Sequence, residues 1–229
     1  MVIDIFVKLI IGVAYGFVLT FLSLPISKKL ILNRSEDPGD TLALKDKRNI
    51  VFIALAGVAS SVAMMLLVKD NAELVRNMLL LIPMLSIALV DSLIRKIPNS
   101  LLLTMIIMQG GYLAYICIVG KTTQPLITAA LGFFIGFVGC TLPSILKIPV
   151  GAGDVKYSAV IGLCIYFTGY VQAMMVMGVS ALLLLVALKI TKKGGMKTMV
   201  PMGPLLSLGS VITMCYPMLN SLVALNDVF

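Results

Sequence analysis

Ten carboxylates are spread unevenly along this chain, and two of them stand apart. Eight lie near the ends or in polar stretches: Asp4, Glu36, Asp37, Asp40, Asp46, Asp70, Glu73 and Asp227. Between Leu74 and Asn226 only Asp91 and Asp154 remain. Asp154 follows two glycines in VGAGDVKYSAV (150–160), after which no charge occurs from Tyr157 to Leu188. An ionisable residue bordering so apolar a segment is a functional candidate, because its desolvation must be offset by something. Two carboxylates held close cannot both ionise cheaply. Such a pair keeps one proton, so one member can activate water while the other protonates or polarises a carbonyl.

Few other residues compete for that chemistry. The chain has no histidine, and its four cysteines (Cys117, Cys140, Cys164, Cys215) stand singly inside apolar runs without CxxC spacing. Zinc and cysteine–histidine catalysis therefore have no ligand set, and the cysteines read as small buried hydrophobes. Acid–base work falls to carboxylates, lysine, tyrosine or a bound cofactor. GAGDVK is no phosphate loop: it follows an apolar run and lacks the GK[ST] ending. The methionines, fifteen in all, are scattered through the apolar runs and pack.

The elements that must position the two acids follow from the solvent. Of 229 residues 60% are hydrophobic and 12% charged, and the mean hydropathy is +1.09. One soluble core cannot hide that much apolar surface, so lipid must cover the rest. A span needs roughly 20 apolar residues. Uncharged runs of that order occupy 9–27, 49–68, 97–120, 122–146 and 198–226, and 77–94 is interrupted only by Asp91. The 157–188 run is too long for one ordinary span and reads as a hairpin turning near Phe167-Thr168-Gly169-Tyr170, or else as one long tilted helix. The expected fold is all-α and polytopic, with about eight transmembrane helices. A two-span region, 1–73, precedes a six-span core, 74–229. The first apolar stretch lacks a basic n-region and a small-x-small cleavage pattern, so it reads as a true span.

The net charge of +8 is not a nucleic-acid signature. Eight spans put loops 28–48, 92–99, 147–156 and 189–199 on one side, with fourteen of the eighteen basic residues. The opposite loops hold Lys69, Arg76 and Lys121. That bias makes the rich side cytoplasmic and both termini external, with the basic loops near lipid head groups. Asp91 then ends the third span and Asp154 begins the sixth, both at the cytoplasmic face. Each has a plain reading. Asp91 can pair with Arg95 at i, i+4 spacing, a contact worth roughly 0.3–0.5 kcal/mol. Asp154 can cap its helix. Neither accounts for glycines at 151 and 153, which permit close backbone approach or positive φ.

Three segments in order carry a resemblance: VDSLIRKIPN (90–99), an Asp, six intervening residues, then Pro-Asn; GAGDVKYSAVIG (151–162), a GxGDxK followed by small residues; and PMGPLLSLG (201–209). Together they resemble the type IV prepilin peptidases, the GxGD aspartyl proteases, with their archaeal preflagellin and small Flp-type relatives. The resemblance covers roughly 75–220. It implies that Asp91 and Asp154 are the catalytic aspartates. It also implies that Gly151 and Gly153 are the motif glycines and Lys156 the motif lysine, with Pro98, Asn99, Gly203 and Pro204 as scaffold. The implied reaction removes a basic leader, usually behind a glycine, just ahead of the apolar helix of a prepilin-like precursor. It would occur at the cytoplasmic face of the cell membrane, in the service of type IV pili or secretion. A basic leader would be repelled by the basic loops, which are therefore assigned to orientation.

Two departures qualify what is carried over. Larger members have a CxxC-bearing zinc loop and N-methylate the new terminus from S-adenosylmethionine. Here NRSEDPGDTLALKDKRN (33–49) has no cysteine, and GVAYGFVLTFLSLP (12–25) lacks that family's Asn and Arg. No metal and no cofactor are expected, S-adenosylmethionine entering only if methylation is retained. Ile148-Pro149-Val150 also replaces the usual lead-in to the GxGD motif. A proton-coupled transporter using Asp91 and Asp154 as proton sites is the alternative class; it predicts internal repeats and mid-span polar residues. A presenilin-like intramembrane protease and an inactive assembly scaffold are further alternatives.

Overall fold

The computed structural model describes residues 2–34, 41, 44, 46–145, 150–191 and 201–219. Most of the 33–49 loop, the 148–149 lead-in, the basic residues Lys45, Lys147, Lys192, Lys193 and Lys197, and the end of the last apolar run lie outside the described residues.

Every described element is helical: α1 (Val2–Leu32), α2 (Lys47–Leu67), α3 (Asn71–Ile94), α4 (Asn99–Gly120), α5 (Gln124–Ile145), α6 (Ala152–Ile190) and α7 (Met202–Cys215). Six of them, α1 to α6, are long and apolar enough to cross a membrane, and α7 is a shorter apolar helix of 14 residues. The chain is a multi-pass helical membrane protein. Helices suit it because lipid offers backbone groups no partners. Large apolar side chains point outward on all of the long helices, among them Phe21, Phe52, Ile118 and Ile190.

α3 is the axis. Within its most apolar window 56% of residues are buried by protein, against 22% or less in the other long helices. It packs against α1, α4 and α7. Its start is set by Asp70, whose side chain accepts from the Glu73 N–H at 2.7 Å, an N-cap in β conformation. Arg76 therefore falls inside α3 and is buried, whereas the charge count assigns it to a loop. The helix ends at Arg95, which adopts φ 51°, ψ 39°, and donates its N–H to Asp91 O. This is a left-handed cap on a residue other than glycine. Pro98 then sits at the N-cap of α4, where its missing N–H is no loss.

α6 is two helices in one. Its backbone leaves the helical region at Tyr166, φ 63°, ψ 179°. Ser158 Oγ lies 2.5 Å from Tyr170 OH. In a straight helix those residues would stand roughly 18 Å apart along the axis, beyond the reach of a tyrosine. Contacts with α7 give the direction. Tyr157 meets Ser207, but farther along the chain Gln172 meets Tyr216 and Met177 flanks Gly209. The first arm (152–165) thus runs with α7 and the second (167–190) runs against it. The reversal falls at Tyr166, one residue before the expected Phe167–Tyr170 turn, which is itself helical. Arg76 explains the place, since its Nη1 donates to Cys164 O at 2.9 Å, where the break leaves carbonyls without helical partners. The first arm lies close against α5, Gly132 and Gly136 facing Gly162 and Ser158, a small-residue crossing of the kind that drives helix association in lipid.

Candidate active site

Asp91 occupies the last turn of α3 and Asp154 the first turn of α6. The two helix ends meet. Both carboxylates line one cavity of about 330 Å³, together with Asn99, Gly151, Gly153 and Lys156. They are close enough for the charge of Asp91 to act on Asp154. Sixty-three residues of sequence separate them, and the fold closes that distance by bringing α3 and α6 to one end of the bundle.

Asp91 is 4% exposed. Its Oδ2 accepts the Gly203 N–H at 2.9 Å. Gly203 is in the first turn of α7, where backbone N–H groups lack helical acceptors and the dipole is positive. A surface ion pair with Arg95 does not describe a carboxylate this deeply placed, although the Arg95 charge does act on it. Asp154 is partly exposed. Its carboxylate lies close to Gly151, where an added Cβ would stand 2.8 Å from Asp154 Oδ2. Asp154 therefore stands at the positive dipole end of α6, and the same carboxylate faces the cavity. Each acid thus sits at a helix N-terminus, Asp91 at that of α7 and Asp154 at that of α6, which offsets part of the cost of burying charge.

The glycines are there for space. Gly151 has φ −66°, and none of the described glycines has positive φ, so of the two reasons the sequence left open, close approach is the operative one. A Cβ on Gly203 would stand 2.7 Å from Asp91 Oδ2, and one on Gly151 would stand 2.8 Å from Asp154 Oδ2. Alanine at either place would press on a carboxylate. Gly153 backs onto Ile97. Pro98 is buried and does not line the cavity, whereas Asn99, which opens α4, does. Pro204 faces elsewhere, into an apolar cleft of about 590 Å³ between α2, α3 and α7.

The cavity also holds residues that sequence reasoning passed over: Arg34, Arg95, Lys96, Ile97 and Ala152. Arg95 and Lys96 fall within the Asp-to-Pro-Asn spacing; Lys96 was counted only for orientation, and Arg95 for orientation and as a surface partner of Asp91. Arg34 comes from the end of α1, and its Nη1 reaches Ile97 O at 3.5 Å while Lys96 Nζ donates to Arg34 O at 3.2 Å. Nothing in the local sequence signals that contact across 62–63 residues. Four basic side chains thus surround two acidic ones. Among the described residues no three His, Cys, Asp or Glu side chains cluster as metal ligands. Cys140, Cys164 and Cys215 are buried thiols, Cys117 is partly buried, and all four are free.

Comparison of the chain with protein-family models, curated proteins and solved structures finds no match.

Proposed function

We propose that this chain is a membrane aspartyl endopeptidase that removes the basic leader of prepilin-like precursors. One observation carries the reading: Asp91 and Asp154, far apart in sequence, line a single small cavity at the meeting ends of α3 and α6. The first glycine of the GxGD segment, Gly151, packs on Asp154, and Gly203 of the Pro-x-Gly-Pro segment packs on Asp91. The pair shares one proton. The ionised member takes a proton from a water lying between them, and the hydroxide attacks the scissile carbonyl. The protonated member donates to that carbonyl oxygen, giving a gem-diol. The C–N bond then breaks as the member that took the water's proton passes it to the departing amine, and a gem-diol hydroxyl returns its proton to the other member. The cations around the cavity stabilise the negative charge that develops. No step needs a metal or a cofactor; S-adenosylmethionine enters only if the product is methylated.

In this reading the two arms of α6 cross separately and α7 also crosses, giving eight spans with the cavity at the cytoplasmic face of the cell membrane. The positive-inside asymmetry supports that orientation. A cysteine at position 121 is then labelled only from outside.

The direct test uses Asp91→Asn and Asp154→Asn. Each change keeps side-chain shape, and asparagine caps a helix about as well as aspartate. Each variant should insert and fold, yet cleave a precursor (basic leader, glycine, apolar helix) about 10²–10⁴-fold more slowly, read as a size shift. Near wild-type processing by either variant rules out the two-aspartate mechanism. A transporter would show no processing even in the wild type, and a proton-coupled flux instead.

A further inference from the structure

The two carboxylates stand on different helices, with no covalent tether near them, so something must fix their separation. Tyr157 lies three residues after Asp154, and Ser207 lies four after Gly203, the residue that holds Asp91. On a helix these spacings put each pair on one face, a single turn apart. Tyr157 OH and Ser207 Oγ lie 2.6 Å apart. Ser207 has one proton, and its Oγ is 2.8 Å from Gly203 O, so it donates there and Tyr157 donates to Ser207. Tyr157 is fully buried and Ser207 is 6% exposed. The same Ser207 Oγ lies 3.5 Å from Met84 O, two turns below Asp91 on α3.

We propose that Tyr157 and Ser207 are positioning residues, a buried clamp that sets the distance between Asp91 and Asp154. The chain of contacts is closed at both ends. Asp154 and Tyr157 move together on the first arm of α6; Tyr157 holds Ser207; Ser207 and Gly203 move together on α7; and the Gly203 N–H holds Asp91. Sliding or rotating the first arm against α7 breaks the Tyr157–Ser207 bond before it separates the acids. A shared proton and an in-line water demand that separation to within a fraction of an ångström, and a misplacement of about 1 Å costs on the order of 10²-fold in rate. Phenylalanine at 157 would fill the same space, so packing alone does not require the hydroxyl.

The inference rests on the peptidase reading, and the experiment separates the two. Tyr157→Phe, Ser207→Ala, the double variant and Ser207→Thr are compared with wild type in membranes. Expected are losses in kcat of about 10- to 100-fold for the Phe and Ala variants. KM should stay within about twofold, since substrate binding is not the step disturbed. The double variant should be no worse than the poorer single, and threonine, which restores the hydroxyl, should recover most of the rate. Spin labels at Ser92 on α3 and Ala152 on α6 report the geometry without substrate, with a narrow distance distribution in wild type that broadens in Tyr157→Phe. Unchanged turnover together with an unchanged distribution overturns the clamp. So do losses that track only the folded fraction and add in the double variant. A wild type that processes no precursor overturns the peptidase reading, while the distance measurement still decides the clamp.

Discussion

The two ends of α3 each bury a charge, and they use it differently. Asp91 is 4% exposed and Arg76, fifteen residues earlier, is 5% exposed. By burial alone they are equivalent. The Arg76 guanidinium is consumed by the fold. It donates to Cys164 O, doubly to Asn77 Oδ1 at 3.0 and 2.7 Å, and to Glu73 Oε1 at 3.3 Å. It also stacks over the Tyr112 ring at 4.7 Å and lies 5.8 Å from that of Tyr166. Every one of these partners belongs to the turn of α6 or to the helices facing it. Asp91 is anchored by one backbone N–H and faces a cavity that contains a second acid. A buried charge is therefore not a functional sign in itself. What separates the two is whether the charge closes the structure or is presented to open space.

The sharpest way to break this comparison is to exchange the phenotypes. Asp91→Asn is expected to lose about 10²–10⁴-fold in precursor cleavage with thermal stability near wild type, because the Gly203 N–H still finds an oxygen. Arg76→Leu is expected to do the reverse. It leaves Asn77 Oδ1 and Cys164 O without their buried donor, and a buried polar group left unsatisfied costs about 1–3 kcal/mol. The yield of folded protein should fall, while the folded fraction retains its specific activity. Thermal melts and activity per folded molecule measure both. If Arg76→Leu folds normally and loses cleavage, the division between the two ends fails.

Much of the carboxylate end is legible in the sequence, and the Arg76 end is not. Asp91 and Asp154 stand out because the surrounding 150 or so residues contain no other acid, and hydropathy places each beside a span boundary. Such signals depend on one stretch of chain at a time. The contacts that complete the site do not: Gly203 to Asp91 crosses 112 residues, Tyr157 to Ser207 crosses 50, and Arg34 to Ile97 crosses 63. Arg76 was counted as a loop cation because an arginine ends the apolar run there. Hydropathy cannot see that Cys164, 88 residues on, supplies a carbonyl for it to bind. Length alone suggested the division of 157–188 and left one long tilted helix open beside it. The exact residue of the break was not legible, since Tyr166 carries no turn signature and the Arg76 contact to Cys164 O beside it comes from another helix.

Smaller changes sharpen the comparison within the carboxylate end. Gly203→Ala would put a methyl 2.7 Å from Asp91 Oδ2 and 2.9 Å from its Cβ, both in a buried setting. Overpacking of this kind costs about 1–3 kcal/mol, and displacement of the carboxylate should lower cleavage by about 10²-fold. Among the described residues Gly151→Ala meets only Asp154 atoms, the nearest at 2.8 Å, at an exposed position. Asp154 can rotate away, so the expected loss is roughly tenfold with little change in melting. Equal effects at the two glycines would mean that Asp154 is held as firmly as Asp91, contrary to their different burial.

The smallest effects come from two left-handed residues at opposite ends. Arg95 closes α3 beside the cavity at φ 51°, and Lys121 closes α4 at φ 48°, away from it. Both are exposed. Glycine removes the Cβ clash of that conformation, which is about 1–2 kcal/mol, but adds chain entropy to the unfolded state. Each substitution should therefore raise stability by about 0.5–1 kcal/mol or less, as a shift of a few degrees or less in the melt. The backbone argument is the same for both. Function is not, because Arg95 is one of four cations around the carboxylates and its charge acts on Asp91. Lys121→Gly should leave cleavage unchanged. Arg95→Gly should slow it, and by more at low salt than at high salt, since ions screen the lost interaction in a cavity open to water. Equal activity in the two variants would show that the cations near the cavity serve only to orient the chain, as their positions in the sequence first suggested.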